Sequence, residues 1–223
     1  GFARVADPAS PYFGQIIHTT TGTPTVDPTL KLQGNYNPDW MLGLQNNVSY
    51  KGLSLGFLFD YRHGGIVVSR TKTIGSTSGQ LEETLYGREN GYDITLPGNG
   101  IISEGVIKNA DGSFTPNTIK ITSRNWHNRY YERNNVEAAK YDATFLKLRE
   151  VTIGYTIPKK LLTRIPVQDI KISLVGRNLA LWTENPHFDP ETMAMGGGTL
   201  IPGVEDMAIP STRNIGFNLN IKF

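Results

Sequence analysis

Ile215-Gly-Phe-Asn-Leu-Asn-Ile-Lys-Phe223 alternates without a break and closes the sequence on an aromatic. Ile215, Phe217, Leu219, Ile221 and Phe223 share one parity, while Gly216, Asn218, Asn220 and Lys222 share the other. Successive side chains of a strand point to opposite faces, so this stretch predicts one oily face and one wet face. A half-buried strand of a soluble protein fits that pattern. A membrane-barrel strand, with lipid outside and water inside, fits it equally. Chain ends fray, so stopping on the last apolar residue of a strand favours the barrel.

Working upstream, the same alternation recurs. Over 167–182, Ile170, Ile172 and Leu174 alternate with Lys171 and Ser173. Over 145–157, Val151, Ile153, Tyr155 and Ile157 oppose Thr152, Gly154 and Thr156. Lys147 and Arg149 fall on the apolar parity of that strand. Two placements accommodate them: above the lipid, or displaced by a β-bulge that changes the register. The clearest hairpin lies earlier. Trp40, Leu42, Leu44, Val48 and Tyr50 share a parity, broken only by Asn46. The chain turns at Lys51-Gly52, and Leu53, Leu55, Phe57, Phe59 and Tyr61 return on one face. Trp40 and Tyr50 bracket a strand that spans roughly 25 Å at barrel tilt, with an aromatic for each membrane interface.

Connections reinforce the reading. Lys51-Gly52 and the Pro158-to-Pro166 stretch are short, the latter with room for one helical turn after Pro158. Residues 70–140 lack periodicity, and 183–211 are rich in Pro and Gly, with a mobile loop expected at Gly196-Gly-Gly198. Long loops count against an ordinary compact domain, whereas outer-membrane barrels alternate short periplasmic turns with long external loops. Residues 1–36 read as an extracellular loop with a short hairpin near 15–20.

Composition agrees. The 223 residues include 24 glycines and 10% aromatics, a β-rich signature. A net charge of +2 gives no reason to expect nucleic acid, and without cysteine there is neither a disulfide framework nor a thiolate metal site. No apolar run is long enough for a transmembrane helix. The start at Gly1, without Met or a signal peptide, suggests a piece of something longer.

Specific motifs then point to a family. Phe145-Leu-Lys-Leu-Arg-Glu-Val-Thr-Ile-Gly-Tyr-Thr-Ile-Pro158 resembles a strand segment of SusC/RagA-type TonB-dependent outer-membrane transporters. In order along the chain, so do Gly34-Asn-Tyr-Asn-Pro-Asp-Trp40, Tyr50-Lys-Gly52, Phe59-Asp-Tyr-Arg-His-Gly-Gly65, Gly176-Arg-Asn-Leu179 with Trp182, Asp189-Pro-Glu191 and Pro210-Ser-Thr-Arg213. The resemblance runs from about residue 34 to 223 and is specific as an ensemble. It implies an all-β fold, the last five or six strands of an antiparallel transmembrane barrel of about 22 strands. Residues 37–223 would supply those strands and their loops, with the plug domain absent. It also implies the outer membrane of a Gram-negative bacterium and import of large nutrients, oligosaccharides or peptides. The implied partners are a SusD-like surface lipoprotein, TonB through a missing amino-terminal region, membrane lipid and the barrel-assembly machinery. A soluble β-sandwich carbohydrate-binding module and a passive porin are the alternatives.

Candidate site residues follow from chemistry and position. Arg124, Trp126, Arg129, Tyr130 and Tyr131, with Arg133 beside them, combine rings and guanidinium groups that stack on and hydrogen-bond a glycan or peptide. Trp182 joins them as a candidate ligand or lid contact, with loop packing as the alternative for the cluster. The terminal apolar residues Ile215, Phe217, Leu219, Ile221 and Phe223 would form the closing strand and, through Phe223, an assembly signal. On the wet parity, Arg62, Lys171 and Lys222 would line the lumen. No catalytic, metal or cofactor site is expected. His18, His63, His127 and His187 lack metal-ligand spacing and read as surface or loop residues, and Glu82-Glu83 and Glu205-Asp206 read as solvated loop charges.

Overall fold

Lys51 and Gly52 both take positive φ, 48° and 89°, as the two-residue turn of a twisted hairpin requires. A side chain at Gly52 would meet the Thr156 carbonyl oxygen at 2.9 Å, so a larger residue is strained there on two counts. Around this turn the computed structural model, which describes residues 1–163, 165–185, 187–196 and 198–223, builds a five-stranded sheet. Its strands are β1 (Trp40–Tyr50), β2 (Leu53–His63), β3 (Phe145–Thr156), β4 (Asp169–Thr183) and β5 (Asn214–Lys222). Each pairs antiparallel with its sequence neighbour, in the order β1-β2-β3-β4-β5. This is a meander of a barrel wall. Its two outer strands leave it open.

The connections alternate as expected. β1 and β2 are joined at Lys51-Gly52, and a single helical turn, Lys159–Leu162, follows Pro158 between β3 and β4. Arg164 of the Pro158-to-Pro166 stretch, Pro186, and Gly197 of the Gly196-Gly-Gly198 run lie outside the described residues. Among the described residues no helix is long and apolar enough to cross a membrane, which leaves crossing by strands untouched.

Register explains what becomes of Lys147 and Arg149. In β1 and β2, Leu44 faces Phe59 and Val48 faces Leu55, so the two apolar parities share a face. In the lower part of β3, Val151 pairs with Phe57 and Ile153 with Leu55, extending that face. Between Leu148 and Glu150 the pairing shifts by one residue, leaving Arg149 as the extra residue of a β-bulge. Above the bulge the parity is exchanged. Leu146 and Leu148 now pair with Tyr61 and Phe59 on the apolar face, and Lys147 pairs with Asp60 on the polar face. β4 is irregular at the same level, where the pairing steps from Arg177 to Ala180 and Asn178 takes a left-handed conformation with φ 51°. Asn178 also donates from its side chain to the Thr212 carbonyl at 3.0 Å.

The result is one continuous apolar face. Leu42, Leu55, Leu148, Ile172 and Phe217 sit on it, from the five strands in turn, and Ile215 and Phe217 are 72% and 82% exposed. Aromatics mark both rims, with Trp40, Tyr61 and Trp182 at one and Tyr50 and Tyr155 at the other. Trp40 packs on Tyr61 at 5.0 Å between ring centroids. These are the outward band and aromatic girdles of a transmembrane barrel.

The remaining residues, Gly1–Gly34, Val68–Tyr141 and Ala194–Met207, form a second compact unit. Its first residues are more ordered than an extended loop. Ala3 donates to Thr25, Ile17 to Ala3 and Thr25 to Ile17 through backbone N–H groups, and Phe2 and Val5 are buried. Ile17–His18 pairs parallel with Val106–Lys108 and also folds back on residues 23–25 as a short hairpin, with an antiparallel His18–Pro24 bridge and the Thr19 N–H donating to the Thr23 carbonyl at 2.8 Å. Two helices stand in the stretch that lacks periodicity: α1 (Arg70–Ser78) and α2 (Ser123–Tyr130). Ser69 caps α1 by accepting from the Lys72 N–H, and Thr122 caps α2 by accepting from the Asn125 N–H.

Three expectations need correction here. Glu205 is not solvated but completely buried, accepting from the Ser69 hydroxyl at 2.8 Å and the Thr71 hydroxyl at 2.5 Å at the start of α1. A carboxylate there meets free N–H groups and the positive end of the helix. Asp206 binds Arg70 at 2.7 Å, and Glu83 binds the Lys72 ammonium. His18 and His127 are buried rather than superficial, each with Nδ1 against a backbone carbonyl, of Ile16 and Ser123 respectively.

Deleting Arg149 from the whole protein carrying this chain removes only the extra residue, so alternation runs unbroken and Leu146, Lys147 and Leu148 keep their faces. The deletion and Arg149→Ala lose the same ion pairs, to Asp60 and Glu191. We expect similar, modest losses of folded, heat-modifiable barrel on unboiled gels of outer-membrane fractions. A far larger loss in the deletion would place Arg149 in regular register, where its removal turns the residues above it to the other face, and would argue against the bulge.

Candidate functional site

The polar face of the sheet carries a cluster of charge that the bulge assembles. Lys147 extends from β3 into a carboxylate pair contributed by the β4–β5 connection. Its Nζ donates at 2.7 Å to both oxygens of Asp189 and also binds Glu191. Arg149, the extra residue, donates to Asp60 of β2 at 2.6 Å and to Glu191 at 2.7 Å. Ser211 closes the far side by donating to Asp189 at 2.6 Å. Lys147 and Asp189 are almost wholly buried, 3% and 4% exposed as side chains.

Burial by itself pushes the Asp189 carboxyl up, but bonds from Lys147, Ser211 and the Glu191 N–H outweigh it and hold the pKa below its ordinary value. Glu191 is likewise pushed up by burial and brought down by Arg149 and Lys147. Both stay ionised, and the cluster ties a residue near each end of the 184–213 connection to the sheet. The signal for it was present in the sequence as two cations on the wrong parity and the Asp189-Pro-Glu191 motif, but nothing linear joins them.

The aromatic–arginine cluster belongs to the second unit and is centred on α2. Trp126 and Tyr130 lie four residues apart, on one side of the helix, and their rings stack at 4.5 Å and 20°. Phe2 covers Tyr130 from a segment far away in sequence, at 4.7 Å. Tyr131 meets Tyr130 edge-on at 5.1 Å and has the Lys72 ammonium 5.0 Å over its ring. Burial, with help from Glu83, Tyr130 and Tyr141, raises the Tyr131 hydroxyl pKa far above its ordinary value, so it remains a neutral donor. The three aromatics are thus half-buried and in mutual contact, while Arg124, Arg129 and Arg133 are exposed. Arg129 pairs with Glu132 and donates to the Pro24 carbonyl at 3.3 Å. Trp182 belongs to the sheet unit, on the apolar face opposite Leu146, and the structure does not group it with α2.

The terminal candidates occupy β5. Ile215, Phe217, Leu219 and Ile221 pair with Gly176, Leu174, Ile172 and Ile170 of β4, and Phe223 follows the last strand residue. Among the described residues the other edge of β5 has no strand beside it. Arg62, Lys171 and Lys222 lie on the polar face.

With this geometry in hand, sequence relatives become informative. A Formosa agariphila protein named TonB-dependent receptor P3 is 24% identical over 199 residues, 86% of this chain. A second from the same organism, TonB-dependent receptor P26, is 26% identical over 194 residues, 85% of this chain. Over most of its length the chain is similar to TonB-dependent receptors. It spans 17% of the length of each of these two receptors. Among solved structures, the RagAB peptide importer in its closed-closed state aligns with a TM-score of 0.54 at 19% identity, covering 89% of this chain and 19% of that one. The open-open state aligns at 0.52 and 17% identity, covering 94% and 20%. These likenesses establish the receptor fold, as the SusC/RagA resemblance implied. No protein-family model matches the chain.

The charge cluster makes the stability of this segment depend on pH. Carboxylates with depressed native pKa contribute stability that is complete above their unfolded values and is lost as pH falls through the native ones. Amide protection in 184–213, corrected for intrinsic exchange, should stay level from pH 7 to roughly pH 4.5 and fall only in stronger acid. Lys147→Met leaves the buried Asp189 carboxylate without its cation, a loss of about 3–5 kcal/mol. Hydrogen exchange should show this loss locally at neutral pH; unchanged protection would refute the tether.

Proposed function

We propose that this chain supplies wall, external loops and closing strand to a TonB-dependent importer in the Gram-negative outer membrane. The observation that carries this reading is the two-faced sheet. Five strands present one apolar face with aromatic rims, and every cation of the cluster at Lys147 and Arg149 is kept off it. A soluble sandwich has no use for an apolar face that continuous and exposed. Length asymmetry between turns and connections supports the same orientation, with the second unit and 184–213 outside the cell and the carboxyl terminus in the periplasm.

Function then resides in transport and not in bond-making. Large nutrients, oligosaccharides or peptides, would bind at the outer mouth beneath a SusD-like lipoprotein. TonB, engaging an amino-terminal part of the whole protein, would deliver the energy that frees the passage. The RagAB structures are of a peptide importer, which favours peptides among the nutrients considered. Arg124, Arg129, Trp126, Tyr130 and Tyr131 are the residues of this segment best equipped for the mouth, the arginines by exposure and the rings as the platform beneath them.

The test is uptake by cells carrying the whole protein. Accumulation of a labelled nutrient should require both the protein and TonB, and the protein should fractionate with outer membranes. Uptake that persists without TonB would replace the importer with a porin, and recovery in the aqueous fraction would replace the barrel with a soluble module. Phe223 gives a second measure. Phe223→Asp should lower the amount of assembled protein in the outer membrane several-fold, through loss of the aromatic end presented to the assembly machinery, and unaltered levels would remove that role.

A further inference from the structure

We infer that the second unit holds a separate small-molecule site, a polar cavity between the end of α1 and the start of α2 that takes an oxyanion carried on a hydroxyl-rich molecule. The cavity has a volume of about 310 Å³, the lower end of the range for small-ligand sites and enough for one sugar ring. Its lining is dominated by donors and hydroxyls, with Arg88, Arg124, Ser78, Thr84, Tyr92 and His127 among them, and contains no carboxylate.

The two arginines divide the work. Arg88 is held in place by Gly79 O, the Thr84 hydroxyl and the Tyr92 hydroxyl, each at 3.0 Å, so its guanidinium is a fixed cation in the cavity wall. Arg124 is exposed on the first turn of α2 and makes no ion pair or side-chain hydrogen bond among the described residues. It is free to close on an anion. Glu83, whose charge reaches His127, is already engaged by Lys72 and by Ser76 Oγ at 3.1 Å, so it does not oppose one. His127 places Nδ1 2.9 Å from the Ser123 carbonyl, so this nitrogen carries the proton and Nε2 is left to accept from a ligand hydroxyl. One fixed cation, one mobile cation and an imidazole acceptor suit a sugar acid or a sugar ester of sulfate.

The site deepens the importer reading, on which its placement outside the cell rests. The test uses the whole protein in detergent, titrated by calorimetry with glucuronate, glucose 6-sulfate and glucose. Either charged sugar should bind at least tenfold more tightly than glucose, and the tighter of the two assigns carboxylate or sulfate. Arg124→Ala should weaken that binding at least tenfold, and Arg124→Lys should recover part of it, as a point charge replaces a fork. Equal binding of glucose, no binding of any of the three, or an unchanged affinity in Arg124→Ala would overturn the site. Wild-type protein that imports nutrient through TonB but binds no charged sugar overturns the cavity alone and leaves the importer reading intact.

Discussion

A lysine in a barrel strand has to face water or a counter-charge, and the arrangement of this segment follows from how β3 meets that demand. Lys147 and Arg149 occupy the parity that lower in the strand points to the apolar face. One extra residue at Arg149 exchanges the parities above it, so Leu146 and Leu148 join the apolar face and Lys147 leaves it. The same residue then contributes its own guanidinium to Asp60 and Glu191. The bulge therefore does two things: it keeps charge out of lipid, and it collects two cations and three carboxylates from two strands and one connection into one ion-paired cluster.

That cluster links wall to loop. Asp189 and Glu191 follow β4 and bind a lysine that belongs to the sheet, while Ser211, which precedes β5, is fastened to Asp189. A loop fastened in this way can be long without being free in its first and last turns. Buried ion pairs seldom add much net stability, but they impose one geometry because each partner left alone is so unfavourable. Orientation of the connection is the effect to expect.

Much of the sheet was legible in the sequence. The strands of 40–63 and the closing strand alternate so regularly that their bounds, faces and order follow from period-2 patterning and turn chemistry, and the structure has them there. Irregular backbone was harder. Gly176-Arg-Asn-Leu179 was visible as a motif, but not as the place where β4 distorts opposite the bulge, because a left-handed Asn178 leaves no mark on alternation. The second unit was the least legible. Its helices are short and capped rather than amphipathic over many turns, and its buried polar groups, Glu205, His18 and His127, are satisfied by partners that lie elsewhere in the chain. A carboxylate or imidazole looks like a surface residue until its partners are known.

Sequence by itself determined the fold class, the two faces of the wall, the turn at Lys51-Gly52 and the family resemblance that the receptors then supported. These are local properties, written in side-chain alternation and in the steric limits of individual residues. Tertiary structure alone decided which of two accommodations β3 adopts, which carboxylates reach Lys147 and Arg149, and that Arg88 and Arg124 line one cavity. Each of those depends on contacts between residues tens of positions apart. Such contacts are set by register and packing, and a one-residue shift in pairing changes them all.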